Sequence, residues 1–148
     1  MQSFEKLLVA GWRDMDYNSH MANTAYLDKS VDVRIAYMTS RGVTMADLRR
    51  RQVGPFAMRD ELEYRREFVL KDTVRATLEV SGLADDGSRW RLRNAFFRGD
   101  DLAAEVRTLG GWVDLTQRKL IAPDDDVRDV WRSLDQTDDF EVLPSLVR

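Results

Sequence analysis

Between Trp12 and Leu27 the chain gathers the side chains best suited to chemistry: Asp14, Asp16, Asn18, His20, Asn23 and Thr24, with His20 the only histidine present. They fall just before a long helical pattern. The first N–H groups of a helix have no partner within it and carry partial positive charge. A carboxylate held beside such amides is an arrangement that hydrolyses carbonyl compounds: the amides receive the developing negative charge and the carboxylate supplies or activates the nucleophile. An aspartate is ionised at neutral pH without special tuning, and a general base contributes roughly 10²–10⁴-fold. A serine nucleophile is not needed, and the chain has no Gly-x-Ser-x-Gly elbow. Simpler roles stand beside these. Aspartates before a helix commonly cap it or form turns, and Asn18 reads equally as a turn residue.

The elements that must position this stretch follow from hydrophobic period. Ser3 to Ala10 predicts a strand, and Ala22 to Arg41 a long helix whose face carries Ala25, Leu27, Val31, Arg34, Ile35 and Met38, ended by Gly42. Ala25, Val33 and Ala36 spread around the helix, which predicts that much of its circumference is covered. Thr44 caps a short second helix with Asp47 as its partner, Arg49, Arg50 and Arg51 close it, and Gly54-Pro55 ends it.

From Phe56 the period changes to two. Phe56 to Arg65, Val74 to Ser81, Arg89 to Phe96 and Leu102 to Leu115 read as strands. Asp86-Gly87 is a hairpin turn, and Gly110-Gly111 suits a bulge. Pro123 and Asp124 to Asp126 start a helix bearing Val127, Val130, Trp131 and Leu134 on one face; the tail from Asp135 either docks or is disordered. One strand, one long helix and four consecutive antiparallel strands predict an α+β domain, a curved sheet wrapped around the helix.

At 148 residues one domain is expected, and a net charge of −3 argues against nucleic acid as the main partner. The chain has no cysteine, which excludes disulfides, thiol nucleophiles and Cys-type zinc sites; a single histidine excludes a two-His metal motif. No apolar run approaches the ~20 residues that cross a bilayer. The first residues lack the layout of a secretion signal, so a cytoplasmic address is the expectation.

The pattern Trp-x-Asp-x-Asp-x-x-x-His-x-x-Asn-x-x-Tyr-Leu, from Trp12 to Leu27, resembles the signature of the hotdog-fold acyl thioesterases, the 4-hydroxybenzoyl-CoA thioesterase-like and acyl-CoA or acyl-ACP group. Their usual form is Trp-x-Asp-x-Asp-x-x-Gly-His-Val-Asn-Asn-x-x-Tyr-Leu. The resemblance implies a hotdog fold of about five antiparallel strands around one central helix, spanning 1–148 with 120–148 peripheral. It implies an acyl-CoA or acyl-carrier-protein thioester as substrate, no cofactor beyond the coenzyme A of that substrate, and a homodimer or homotetramer with sites between subunits. Asp16 corresponds to the catalytic carboxylate, as nucleophile or general base. The backbone N–H of Asn23 corresponds to the donor that polarises the carbonyl. Asp16, Asn18 and His20 match the Asp-x-Asn-x-His pattern of the plant acyl-ACP branch, with His20 orienting Asp16 or water. Asn18, Asn23 and Thr24 are the expected substrate-binding positions.

Two positions depart from the signature: Ser19 replaces its glycine and Ala22 its first asparagine. Ser19 predicts an altered turn, because a non-glycine residue resists positive φ. Ala22 removes a carboxamide that would cap the helix or position substrate. These departures keep open a non-catalytic acyl-binding module. A hotdog hydratase, with its motif Asp-x-Asn-Pro-x-His, fits less well: the chain lacks the proline and is one residue short before His20. Beyond the signature, Tyr26 and Leu27 read as core beneath the site. Glu61 and Glu63 are candidates for a second carboxylate, with a solvated strand face as the simpler reading. Arg49, Arg50 and Arg51 are candidates for coenzyme A phosphates, with a helix end as the simpler one.

Overall fold

The computed structural model describes residues 3–147. Its organising element is α1, Asn23–Ser40. Ala25, Tyr26, Lys29, Ser30, Val33, Arg34, Tyr37 and Met38 form one buried stripe along it, two residues in every turn, as a helix resting on a sheet requires. The apolar spacing put Val31 on this face. Val31 is instead 45% exposed, because polar Lys29, Ser30 and Arg34 occupy core-facing positions. Much of the circumference is covered, with an outward strip left by Asn23, Thr24, Asp28, Val31, Asp32, Thr39 and Ser40. Each inward polar group is satisfied locally. Ser30 Oγ donates to the Tyr26 carbonyl at 2.8 Å. Arg34 donates to Asn94 Oδ1 at 3.0 Å and to Thr108 Oγ1 at 2.6 Å. Burial pulls the Arg34 guanidinium down to about 10, opposed by the charge of Asp60.

α1 is cupped by a sheet. The strands are β1 (Phe4–Val9), β2 (Val53–Tyr64), β3 (Thr73–Ala84), β4 (Arg89–Arg98) and β5 (Asp101–Asp114), in spatial order β1-β3-β4-β5-β2. All four pairings along this path are antiparallel. This is the expected α+β layout, a curved sheet around one long helix, although β2 lies beside β5 rather than beside its sequence neighbour β3. Trp90, Leu92 and Phe96 of β4, with Val74, Ala76, Leu78 and Val80 of β3, point inward onto the helix. The Asp86-Gly87 hairpin turn is present, with Gly87 at φ +77° and Ser88 N–H on Asp86 Oδ1 at 3.0 Å.

Several expectations are corrected in detail. Thr44 does cap α2 (Met45–Arg51), accepting from Asp47 N–H at 3.1 Å. The helix ends at Gln52, in left-handed conformation, and Gly54-Pro55 lies inside β2. The bulge falls between Ala57 and Arg59 of β2, so the extra residue is Met58, while Gly110 and Gly111 sit opposite in β5 without a break in their own pairing to β4. Those glycines are required by contact instead. A Cβ on Gly110 would meet the Trp90 ring and lie 2.5 Å from the Phe56 carbonyl oxygen. β6 (Lys119–Leu120) pairs with β5; the helix expected to reach Leu134 is only the single turn α3 (Asp125–Arg128), which buries Val127, and the turns after it bury Val130, Trp131 and Leu134. The tail docks as β7 (Gln136–Leu143), parallel to β3. No helix among the described residues is long and apolar enough to cross a membrane.

Candidate active site

β1 ends at Val9, and the chain reaches α1 through a tightly pinned loop. Trp12–Asp14 forms a 3₁₀ turn in which the Asp14 carboxylate accepts the Gly11 N–H at 2.7 Å and pairs with Lys29 of α1 at 2.9 Å. Lys29 also donates to the Val9 carbonyl at 3.2 Å. Burial disfavours the charged form of Asp14, but the Gly11 amide and the Lys29 ammonium outweigh it and hold this carboxyl below its ordinary value. Asp14 is therefore the structural aspartate of the pair.

From Met15 to Met21 the loop folds back on itself. Asp16 N–H donates to the His20 carbonyl at 2.8 Å, and Ser19 N–H to the Asp16 carbonyl at 3.1 Å. Asp16 Oδ1 accepts the amides of Asn18 at 2.9 Å and His20 at 3.1 Å. Its Oδ2 has no hydrogen-bond partner among the described residues. Ser19 adopts φ +65°, the left-handed conformation that glycine supplies without strain. Ser19 therefore takes the strained conformation itself, without a glycine.

Ala22 stands at the N-cap of α1, and no side chain caps the helix. Its carbonyl accepts Ala25 N–H, while the amides of Asn23 and Thr24 have no acceptor among the described residues. The loop is fastened on its other side to the β2–β3 connection by Met21 N–H on the Phe68 carbonyl at 2.8 Å and Ala10 N–H on the Asp72 carbonyl at 2.9 Å.

This fastening creates a cleft of about 380 Å³ lined by Asp16, His20, Met21, Asn23, Tyr26, Tyr64, Arg65, Arg66 and Glu67. Three of the five expected site residues, Asp16, His20 and Asn23, meet there. Asn18 contributes its backbone N–H to Asp16 but its side chain does not line the cleft, and Thr24 is exposed on the first turn of α1. Tyr26 lies beneath, 2% exposed, with its ring edge-on to Tyr64 at 5.2 Å and Phe96 at 5.4 Å. Burial, followed by the neighbouring charges of Tyr64, Glu67 and Asp16, pushes its phenol up to about 12.

The second carboxylate at this cleft is Glu67, which the strand pattern did not single out. Glu61 and Glu63 lie outside it, paired with Arg59 at 3.0 Å and Arg65 at 3.1 Å on exposed β2. Arg65, Arg66 and Glu67 follow β2 directly. The signal in the sequence was a run of charges between the apolar ends of two strands, legible as functional only once β2 is known to finish beside the loop. Arg50 and Arg51 hold Asp47, and Arg51 also holds Asp126 at 2.6 Å, so this cluster closes α2 and ties it to α3. Arg89, Arg91 and Arg93 of β4 are half-buried and engaged with Pro144, Glu141, Glu79 and Glu105. Among the described residues no group of three or more His, Cys, Asp or Glu is placed to hold a metal.

Comparison with known proteins gives three results. A model of the thioesterase-like superfamily matches residues 10–130. No curated protein sequence matches the chain. Among solved structures the chain is similar to a hypothetical protein from Staphylococcus aureus characterised in complex with CoA, at 19% identity and TM-score 0.81, over 92% of this chain and 87% of that one. It is similar to a DHNA-CoA thioesterase from Staphylococcus aureus at 16% identity and TM-score 0.75, over 82% and 80%. It is likewise similar to a 1,4-dihydroxy-2-naphthoyl-CoA thioesterase from Synechocystis at 11% identity and TM-score 0.80, over 90% and 98%. At such identities the likeness establishes the hotdog fold.

Proposed function

Because this chain belongs to the thioesterase-like superfamily, we propose that it hydrolyses an acyl-CoA or acyl-carrier-protein thioester to the free acid and thiol. Asp16 is the general base or nucleophile, and the Asn23 N–H polarises the carbonyl. The observation that carries this reading is the Asp16 carboxylate, whose Oδ1 is held by the Asn18 and His20 amides while Oδ2 is left for the cleft it shares with the start of α1. Two hydrogen bonds from backbone amides fix the group's orientation, so little reorganisation is needed at the moment of reaction.

With Asp16 as base, Oδ2 takes a proton from water as the oxygen attacks the carbonyl carbon. Negative charge moves to the carbonyl oxygen and is held by the amide at the amino end of an 18-residue helix. The tetrahedral species collapses, the C–S bond breaks, and the thiolate leaves with no need for a strong general acid. A preorganised N–H of this kind contributes about 10²–10³-fold. His20 lines the cleft and orients the attacking water. With Asp16 as nucleophile the same carboxylate oxygen attacks instead, and water then hydrolyses the mixed anhydride.

On this reading Ser19 and Ala22 are compatible with catalysis. Ser19 sits in the loop at φ +65°, and Ala22 leaves the first amides of α1 uncapped for a ligand. A homodimer or larger assembly with sites between subunits is also part of the reading. β2 is an edge strand with Phe56, Met58 and Tyr64 exposed, and Tyr64 reaches the cleft that a partner would close. Free thiol released by the purified protein from a panel of acyl-CoA and acyl-carrier-protein thioesters tests the reaction. No release from any member would end this assignment.

A further inference from the structure

Asp16 lies on a ridge between two hollows. One is the cleft described above. The other, of about 500 Å³, is lined by Trp12, Met15, Asp16, Tyr17, Ser19 and Leu70, so Asp16 is the residue common to both. The two differ in chemistry. The first carries two guanidinium groups. Among the described residues the Arg65 side chain is held only by exposed Glu63 at 3.1 Å and that of Arg66 only by exposed Asp101 at 3.9 Å. Such solvated pairs are weak and exchange readily for a better partner.

The second hollow presents Trp12 at 80% exposure, Tyr17 at 98% and Leu70 at 42%. Large aromatic groups this bare, side by side on one loop, mark a surface that something apolar covers. A thioester has the same division. The group on the sulfur side bears phosphates, the group on the carbonyl side is acyl, and the reacting carbon joins them.

Taking the thioesterase reading as its basis, we infer that the substrate lies across Asp16 with its phosphorylated thiol arm over Arg65 and Arg66 and a bulky apolar acyl group on the shelf of Trp12, Tyr17 and Leu70. Guanidinium groups match phosphate oxygens two at a time, which makes this side selective by geometry. Glu67 and Asp16 face the same hollow and balance the two arginines, so contact rather than bulk field does the recognising. The shelf sits outside the closely packed interior, so it takes extended or aromatic groups and gives an acetyl group nothing to cover.

The test compares thioesters of one acyl group on three carriers: coenzyme A, 4′-phosphopantetheine and N-acetylcysteamine, which has no phosphate. In Arg65→Gln/Arg66→Gln the ratio of kcat/KM for coenzyme A over N-acetylcysteamine falls at least tenfold. A loss kept with 4′-phosphopantetheine assigns the arginines to the phosphate shared by coenzyme A and carrier protein. A loss confined to coenzyme A assigns them to its nucleotide phosphates. An unchanged ratio overturns the arm's placement. In Trp12→Ala and Leu70→Ala the preference for octanoyl or benzoyl over acetyl falls at least tenfold; an unchanged preference, or a change in oligomeric mass with Trp12→Ala, overturns the shelf. Binding separates this from the reaction itself. Titration of free coenzyme A into Asp16→Asn and into Asp16→Asn/Arg65→Gln/Arg66→Gln reads the arginine contact without turnover, and equal affinities contradict it even where the thioesterase reading holds.

Discussion

The Asp14 carboxylate and the Lys29 ammonium stand 2.9 Å apart across the junction of the loop with α1. One turn away, Asp16 faces the cleft. Two aspartates separated by one residue therefore do different work: Asp14 locks the loop to the helix, and Asp16 is free to meet a ligand.

Asp14→Asn is expected to cost about 1–2 kcal/mol at pH 7, since it weakens a largely shielded pair that also holds a backbone amide. The folded carboxyl titrates below its unfolded value, which is about 3.9. Its contribution is then complete above about pH 5 and is lost as pH falls through the folded value. Urea unfolding of parent and Asp14→Asn should show a stability gap that narrows progressively as pH falls below about 5. A gap independent of pH would contradict the pairing.

Ser19 holds φ +65° without a glycine's freedom. Ser19→Gly should raise stability by about 0.5–1 kcal/mol, as removing the left-handed strain exceeds the entropy that glycine adds to the unfolded chain. Ser19→Val should lower both stability and turnover, because a β-branched residue resists this conformation. Denaturant midpoints and thiol-release rates check both.

Arg34 lies inside the core and donates to Asn94 and Thr108, two fully buried side chains. Arg34→Met strands the Asn94 acceptor, leaves Thr108 only its own hydrogen bond to Asp60, and should cost about 2–4 kcal/mol. Arg34→Met/Thr108→Val should cost less than the sum of the single changes, because either change alone already breaks the Arg34–Thr108 hydrogen bond. Additive losses in chemical unfolding would argue against the network.

Gly110→Ala places a methyl group against the Trp90 ring and 2.5 Å from the Phe56 carbonyl oxygen. Neither ring nor backbone can yield cheaply in a packed sheet, so a loss of roughly 2–4 kcal/mol is expected, read as a lowered thermal midpoint. Gly99→Ala is the comparison. Gly99 has open space around it but φ +61°, so it carries only the backbone strain.

Much of this site was legible in the order of residues. The 16, 20, 23 spacing placed a carboxylate, a histidine and a helix start together because all three sit on one short connection. The spacing assigned roles less well where one signal served two ends. Polar Lys29 hid part of the true buried face of α1, because what satisfies it, Asp14 and the Val9 carbonyl, lies on another element. Glu67, Arg65 and Arg66 could not be found from local pattern, since β2 crosses to lie beside β5 and only then delivers its end to the loop. The tail's alternation was too weak to reveal β7, whose pairing steps from Val80–Gln136 to Gly82–Glu141 over an irregular excursion.

The account turns on the free oxygen of Asp16. Asp16→Asn keeps an oxygen that can accept from the Asn18 and His20 amides, so loop and fold should persist, shown by an unchanged thermal midpoint. On the thioester that the parent cleaves fastest, the account predicts that kcat for this variant falls by at least about 10²-fold. Release of thiol at the parent's rate by a folded Asp16→Asn protein would contradict it.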